Sequence, residues 1–404
     1  IGGFAVETVT EDAHTALKMQ RLGWGSAFLS IPLAAGLATE RLGLHIIQRT
    51  RWARGMTQIF RVDNPLFGRG LKWQQRLCYL NAMLHFQFGL PRVAFLTAPL
   101  AYLLFNLNII HSSASLIFAY VLPHLVMSLY VNSRMNGRFR YTFWGEIYET
   151  VMCFHLVIPT ILTLLSPKHG KFNVTDKGGV LDQGFFDFHI VRPHVIVALL
   201  LSIGIVAGVV RAVMHDYFGV DPYVIALNVG WAIFSLIILM AAIAVARETK
   251  QVRKTIRIEV QIPTIIHYAS GISSRTLTSN LSMGGAQLDA PDGRHESDEI
   301  EEIDLLLKSG AITLPVTKIS GDSESIRLRF EAMPLARRRE LVRVVLARAD
   351  AWIQPEYKQD NPLISLGTII RTVFELFWLT WKGRHDKRKN VDPVAAAAKE
   401  DGAA

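Results

Sequence analysis

The run Gln48-Arg49-Thr50-Arg51-Trp52 sets an amide, two guanidinium groups and an indole within five residues. In a helix, Gln48, Arg51 and Trp52 stand at i, i+3 and i+4 and share one face. Arginine offers a planar donor fork to a diphosphate, glutamine donates or accepts at a hydroxyl, and tryptophan lays a flat apolar plate under a sugar ring. Together they suit a sugar phosphate. The same residues also describe a basic amphipathic helix lying on acidic headgroups with its Trp at the interface, and alone they leave both readings open.

Further constellations carry chemistry. Thr10, Glu11 and Asp12 precede a helical stretch that ends near Gly23. Acids in a first turn suit the helix dipole and Thr10 suits an N-cap, which is a structural account; the chemical one makes Asp12 a general base for a hydroxyl. The loop 170–179, GKFNVTDKGG, places glycines on both flanks of Phe172, Val174, Thr175 and Lys177. It reads either as a plain loop or as a lid that closes an aromatic plate, a hydroxyl and a cation over a nucleotide. Arg253 and Arg257 stand four apart, and Asn280, Ser282 and Gly285 follow in SNLSMGG. Two donor forks match two phosphates and the O6/N7 edge of guanine, while Asn and Ser on a tight turn can meet further polar edges. The bland alternatives are juxtamembrane basic charge and an ordinary hairpin loop.

Composition indicates what must position these residues. Half of the 404 residues are hydrophobic, mean hydropathy is +0.26, and the net charge is +9 with a pI near 9.6. Apolarity of this degree points to membrane spans, and the charge to anionic partners. Basic residues flank the apolar runs, so lipid headgroups and nucleotide phosphates outrank nucleic acid. Cys78 and Cys153 lie far apart in apolar surroundings, which predicts buried free thiols rather than a disulfide framework or a zinc site.

Residues 1–91 hold no run long enough to cross a bilayer, and 70–90 alternates basic and apolar faces as an interfacial helix does. Runs at 93–110, 114–130, 195–213 and 224–246 have the required length, and 148–165 is a weaker one holding Glu149, His155 and Pro159. Lys and Arg crowd the segments 134–140, 168–192 and 247–254, whereas 111–113 and 215–223 carry none. The positive-inside rule makes the former cytosolic, and a further crossing at 148–165 would split them across the membrane. The pattern therefore predicts four spans, with 143–165 in or dipping into the cytosolic interface.

After the last span short alternating runs appear, RIEVQI, EIDLLL, AITLPVTKI and SIRLRF, separated by Gly, Ser, Asn and Asp clusters. They predict a small antiparallel barrel over about 250–332, closed by a helix through PLARRRELVRVVLARADAW. A second amphipathic stretch, 363–381, has an aromatic apolar face suited to the barrel or the membrane, and the tail from Lys382 has a disordered composition. The opening Ile1-Gly2-Gly3-Phe4 reads as the interior of a domain, so an upstream part is expected.

With Thr10-Glu11-Asp12, Q-x-x-R-W at Gln48, Arg51 and Trp52, F-x-V-T-x-K at Phe172, Val174, Thr175 and Lys177, and R-x-x-x-R at Arg253 and Arg257, the chain resembles the bacterial cellulose synthases from Val6 to about Trp352. These are processive family 2 glycosyltransferases with a C-terminal PilZ domain. The resemblance implies a multi-domain membrane protein: the C-terminal part of an α/β, GT-A-like glycosyltransferase domain with interfacial helices (1–91), a helical region of four spans (92–247), a PilZ β-barrel (248–355), and an amphipathic helix with a disordered tail (356–404). It implies transfer of glucose from UDP-glucose to a nascent β-1,4-glucan, coupled to export across the bacterial inner membrane, with the glycosyltransferase and PilZ parts cytosolic.

By this resemblance Asp12 would deprotonate the acceptor 4-hydroxyl, with Thr10 and Glu11 beside it in the substrate site. Trp52 would stack on the acceptor sugar, Gln48 and Arg51 would line the acceptor and diphosphate site, and Phe172, Val174, Thr175 and Lys177 would close over UDP. Cyclic di-GMP would bind Arg253, Arg257, Asn280, Ser282 and Gly285 and release the closing loop. Asn280 departs from the family's D-x-S-x-x-G and loses a charge-assisted bond to guanine N–H groups. The ligands of UDP and Mg2+ would lie upstream, so these residues alone would not catalyse. A periplasmic, membrane-anchored partner subunit is implied as well. The alternatives are a synthase of another polysaccharide and a non-catalytic membrane receptor for cyclic di-GMP.

Overall fold

Glu11 and Asp12 open the first helix, α1 (Glu11–Arg21), and Lys18 and Arg21 close it, so both ends complement its dipole. The computed structural model describes residues 1–29, 39, 41–109, 112–137, 140–168, 181, 183–218, 221–249, 255, 257–291, 299–308, 310–321, 324–347, 359–375 and 378. The QRTRW run lies inside α2 (Leu42–Val62), followed by α3 (Trp73–His85) and, after a 54° bend, α4 (Gly89–Phe105). Leu17 of α1, Met56 and Ile59 of α2 and Met83 of α3 share one buried cluster, which fixes these helices to one another.

Next come α5 (Ala114–Asn136), α6 (Trp144–Leu165), β1 (Phe185–Phe186), α7 (Phe188–Val213), the single turn α8 (His215–Phe218) and α9 (Pro222–Ala244). The helices α4, α6, α7 and α9 pack around Leu96, Leu103, Cys153, Leu201 and Leu239. Glycine eases the close approach of α7 to α4: a Cβ on Gly204 would lie 2.9 Å from a Leu100 methyl and one on Gly208 2.7 Å from a Leu103 methyl, so those side chains would have to shift. Between α4 and α6, Arg92 pairs with both Glu146 and Glu149. Among the described residues, α5, α6, α7 and α9 are the four helices long and apolar enough to cross a membrane, and the bent α3–α4 pair makes a fifth candidate.

This set differs in one member from the runs read in the sequence, because α6 stands in place of 93–110. The helix there, α4, has 17 residues and stops at Phe105. Asn106 turns left-handed with φ 58°, and Arg211 of α7 donates to the last carbonyls, Tyr102 O at 2.9 Å and Leu103 O at 3.1 Å. In α6 the acids Glu146 and Glu149 fall in the first six residues, leaving a long apolar remainder. The cysteines also differ from expectation: Cys153 is buried, but Cys78 is exposed on α3.

The short β2 (Arg247–Glu248) pairs with β1, and the expected barrel follows as β3 (Arg257–Glu259), β4 (Pro263–Tyr268), β5 (Ser273–Ser282), β6 (Gly285–Asp289), β7 (Ile300–Leu307), β8 (Gly310–Gly321) and β9 (Ser325–Phe330). Strand β5 pairs with β3, β4 and β6; β6 continues through β9, β8 and β7 back to β4, so the antiparallel sheet closes. Alternation decides which side chains fill it, as in β9, where Ile326, Leu328 and Phe330 point inward and Arg327 and Arg329 outward. Helix α10 (Leu335–Leu346) contributes Leu341, Val344 and Val345 to the same core.

The second amphipathic stretch forms α11 (362–375) and sets one side against the apolar helices, while Leu363, Ile364 and Phe374 stay exposed. Its Ile369, 1% exposed, packs on Ile147 and Val151 of α6 and on Ile238, Ala241 and Ala242 of α9. Asp360 ties down its start. The carboxylate accepts from Thr142 N at 2.8 Å and Ser365 Oγ at 2.5 Å, while the backbone at Asp360 accepts from Ser133 Oγ at 2.9 Å and donates to Gly137 O at 2.9 Å. Burial alone would raise this carboxyl's pKa, but the bonds from Ser365 and Thr142 hold it below its ordinary value. The stabilisation is therefore present at neutral pH and is lost as pH falls through that depressed pKa. Asp360→Ala would strand Thr142 N, at a cost of about 1–3 kcal/mol. It is expected to speed amide exchange across 359–375 well above that of the barrel; unchanged exchange would remove Asp360 as the tether.

Candidate functional site

A glycine joins the first two motifs. A Cβ on Gly55 of α2 would fall 2.4 Å from Thr10 Oγ1, so only glycine lets the turn before α1 seat on α2. Thr10 holds the N-cap position, yet its hydroxyl makes no cap bond and is buried against α2. The capping role read in the sequence is thus replaced by packing. Gln58 completes the joint, accepting from Val9 N at 3.1 Å and donating to Pro167 O at 2.8 Å. Gly55 and Gln58 continue the helical face of Gln48 and Arg51, which the sequence reading did not follow beyond Trp52.

Asp12 is exposed at the head of α1 with Glu11, and its Oδ1 accepts from Ala13 N at 2.8 Å. The helix beneath is fixed at both ends: Arg21 pairs with Asp63 at 2.8 Å, and the buried His14 sets Nδ1 3.2 Å from Thr8 Oγ1. Burial pushes the His14 pKa down against the pull of Asp63 and Glu7, so the ring is neutral at pH 7.

Gln48, Arg51 and Trp52 are all half-buried on α2. Arg49, absent from the sequence-derived site, is the neighbour that orders the indole. Its guanidinium lies 4.6 Å from the Trp52 ring centroid and 5.4 Å from that of Tyr148 on α6, and His45 meets Tyr148 edge-on at 5.7 Å. The cation thus sits between indole and phenol, covering one face of Trp52. At the start of α2, whose own first turn has no acid, Glu248 Oε1 accepts from Leu42 N at 2.6 Å. The strand leading toward the barrel therefore caps the helix that carries the motif.

On the barrel, register places two rows of residues side by side across β3, β5, β6 and β9. One runs Arg257, Ser282, Gly285 and Arg329, the other Glu259, Asn280, Gln287 and Arg327. A Cβ on Gly285 would lie 2.2 Å from Leu328 O, so close strand approach demands glycine there. Ser282 is 3% exposed, and its hydroxyl accepts from Gly284 N and donates to Gly285 O, so it holds the β5–β6 turn. Arg327 and Arg329 show in the sequence only as the alternating basic pattern of SIRLRF, which becomes meaningful once β9 is known to border β6, and Gln287 gives no such signal. Glu259 stands opposite Asn280, so a carboxylate at 280 would set two like charges on adjacent strands. Phe172, Val174, Thr175, Lys177 and Arg253 lie outside the described residues. Among the described residues no group of three His, Cys, Asp or Glu could hold a metal ion.

Residues 2–278 match the cellulose synthase family model. The chain belongs to the cellulose synthase family. Residues 251–347 of the chain match the PilZ domain model, and these bounds enclose β3 through α10. It is 48% identical over 370 residues, 91% of this chain and 50% of the relative, to the cellulose synthase catalytic subunit (UDP-forming) of Pseudomonas fluorescens (strain SBW25). It is 47% identical over 398 residues, 98% of this chain and 53% of the relative, to the cellulose synthase 1 catalytic subunit (UDP-forming) of Komagataeibacter xylinus. The chain thus spans about half the length of the curated relatives it matches.

Proposed function

We propose that this chain is the acceptor-handling, membrane and regulatory part of a processive synthase that transfers glucose from UDP-glucose to a growing β-1,4-glucan. The observation that carries the reading is the seat of Thr10 on Gly55, which binds the turn bearing Asp12 to the helix bearing Gln48, Arg51 and Trp52. Asp12 takes the proton of the acceptor 4-hydroxyl as that oxygen bonds to the anomeric carbon of the donor and UDP departs from the opposite side, so the centre inverts. Trp52 offers its uncovered face to the acceptor ring, and Gln48 and Arg51 bind hydroxyl and diphosphate. Thr10 and Glu11 border this site, and Phe172, Val174, Thr175 and Lys177 close over the nucleotide. Mg2+ would offset the charge of the departing diphosphate; no ligand set for it is assigned to residues of this chain. The decisive experiment replaces Asp12 and is argued below.

The membrane arrangement follows from charge. Helix α2 bears Arg49, Arg51, Arg54 and Arg61 and cannot lie in hydrocarbon, yet Ile46 and Ala53 of α2 pack on Met152 and Leu156 of α6. Helix α6 therefore lies at the depth of α2, at the cytosolic interface of the inner membrane. The crossings are α4, α5, α7 and α9, through which the glucan leaves towards a membrane-anchored periplasmic subunit.

Cyclic di-GMP binds the PilZ face through Arg253, Arg257, Asn280 and the turn at Ser282 and Gly285, and activates synthesis. Glu248 of β2, bonded to the start of α2, offers a route by which ligand at the barrel entrance reaches the motif helix. Arg257→Ala in the full chain is expected to weaken cyclic di-GMP binding by about 10–100-fold, the worth of one charge-assisted contact. Calorimetry showing unchanged affinity would take Arg257 out of the site.

A further inference from the structure

The PilZ face carries a hydrogen-bonded relay that runs from the motif residues Arg257 and Asn280 to Gln287 and Ser325, which lie outside the motifs. Arg257 Nη1 approaches Asn280 Oδ1 at 3.5 Å, Asn280 Nδ2 donates to Gln287 Oε1 at 2.9 Å, and Gln287 Nε2 donates to Ser325 Oγ at 3.1 Å. Four adjacent strands, β3, β5, β6 and β9, are crossed in this way.

Chemistry sets the polarity of the relay. A guanidinium has donors and no acceptor, so Asn280 must turn its carbonyl oxygen toward Arg257 and its NH2 toward β6. That NH2 needs an acceptor, and Gln287 stands directly opposite in register to supply one. The Ser325 hydroxyl then takes the Gln287 NH2, which fixes the second amide in turn. A register shift between Thr278 and Asn280 marks an irregularity of the kind that re-aims a side chain next to a site.

An aspartate at 280 would need none of this, because both of its oxygens accept. An asparagine has one acceptor and one donor end, and a flipped amide would present the wrong one to guanine N–H groups. We propose that Gln287 is a positioning residue of the cyclic di-GMP face, holding the Asn280 amide so that its oxygen points to the ligand side. The pair Asn280 and Gln287 thereby does the work of a carboxylate without setting a second negative charge opposite Glu259. This rests on the reading of the PilZ face as a cyclic di-GMP site.

The test is calorimetric titration of cyclic di-GMP into the full chain carrying Gln287→Leu, Asn280→Asp, both, or Gln287→Glu. Leucine offers no acceptor, so Gln287→Leu is expected to weaken binding about tenfold when Asn280 is present. In the Asn280→Asp background the same change is expected to cost less than about twofold, because an unpaired carboxylate has no wrong orientation. Gln287→Glu keeps the acceptor and the fold, and is expected to stay within about threefold of the unsubstituted chain. Equal losses from Gln287→Leu in both backgrounds, or no loss beside Asn280, would overturn the positioning role. Failure of the unsubstituted full chain to bind cyclic di-GMP would instead overturn the reading on which the role rests.

Discussion

Asp12→Asn in the full chain is expected to lower polymer synthesis by about 10²–10⁴-fold, the usual contribution of a general base, while UDP affinity stays within about threefold. The substitution is a fair test because Asp12 is exposed at the head of α1 and has no burial to lose. Its bond from Ala13 N goes to Oδ1, which asparagine retains, so the first turn keeps its geometry. The Thr10 seat on Gly55 and the Gln58 staple do not involve the carboxylate and hold the turn in place in the variant. What asparagine cannot do is accept the acceptor's proton. Incorporation of labelled glucose, measured beside UDP binding by calorimetry, separates the two effects. Residual synthesis above a tenth of the unsubstituted rate would sink the assignment of Asp12 as base.

Local pattern carried most of the architecture. Alternation in RIEVQI and SIRLRF was enough for strands, because burial of every second side chain is a property of the strand itself. Apolar length located α5, α7 and α9 in the same way. The departures come where a distant residue decides. Helix α4 ends at Phe105, where Asn106 turns left-handed and Arg211, more than a hundred residues later, takes the last carbonyls. Asp360 pins α11 beside α6 through Thr142, and no periodicity in 363–381 encodes that choice of surface.

The site follows the same division. Motif residues announce themselves by type, but the residues that orient them do not. Gly55 and Gln58 look like ordinary helix positions until Thr10 and Val9 are placed on them. Gln287 gains meaning only from the pairing of β5 with β6, which is a matter of register. Arg49 was visible in the sequence, one residue from Gln48, but its partner Tyr148 lies on α6, and the stack between them is a tertiary fact.

That stack shapes the second large effect. Trp52→Ala is expected to lower glucan synthesis by about 100-fold, the order of loss that follows when a reacting group is left about 1 Å from its productive place. The indole has one face under the Arg49 guanidinium and, in the proposed role, the other against the acceptor ring, so alanine removes the platform and frees the cation together. Trp52→Phe separates these roles. Phenylalanine keeps an apolar plate and a π face for Arg49, and is expected to retain synthesis within about tenfold. UDP affinity is expected to change little in either variant, because the diphosphate contacts are proposed for Arg51 and not for the indole. The two rates and the two UDP affinities then decide the matter. If Trp52→Ala lowered UDP binding as much as synthesis, the indole would be a structural member of the α2–α6 stack, and the acceptor platform would have to be sought on another residue.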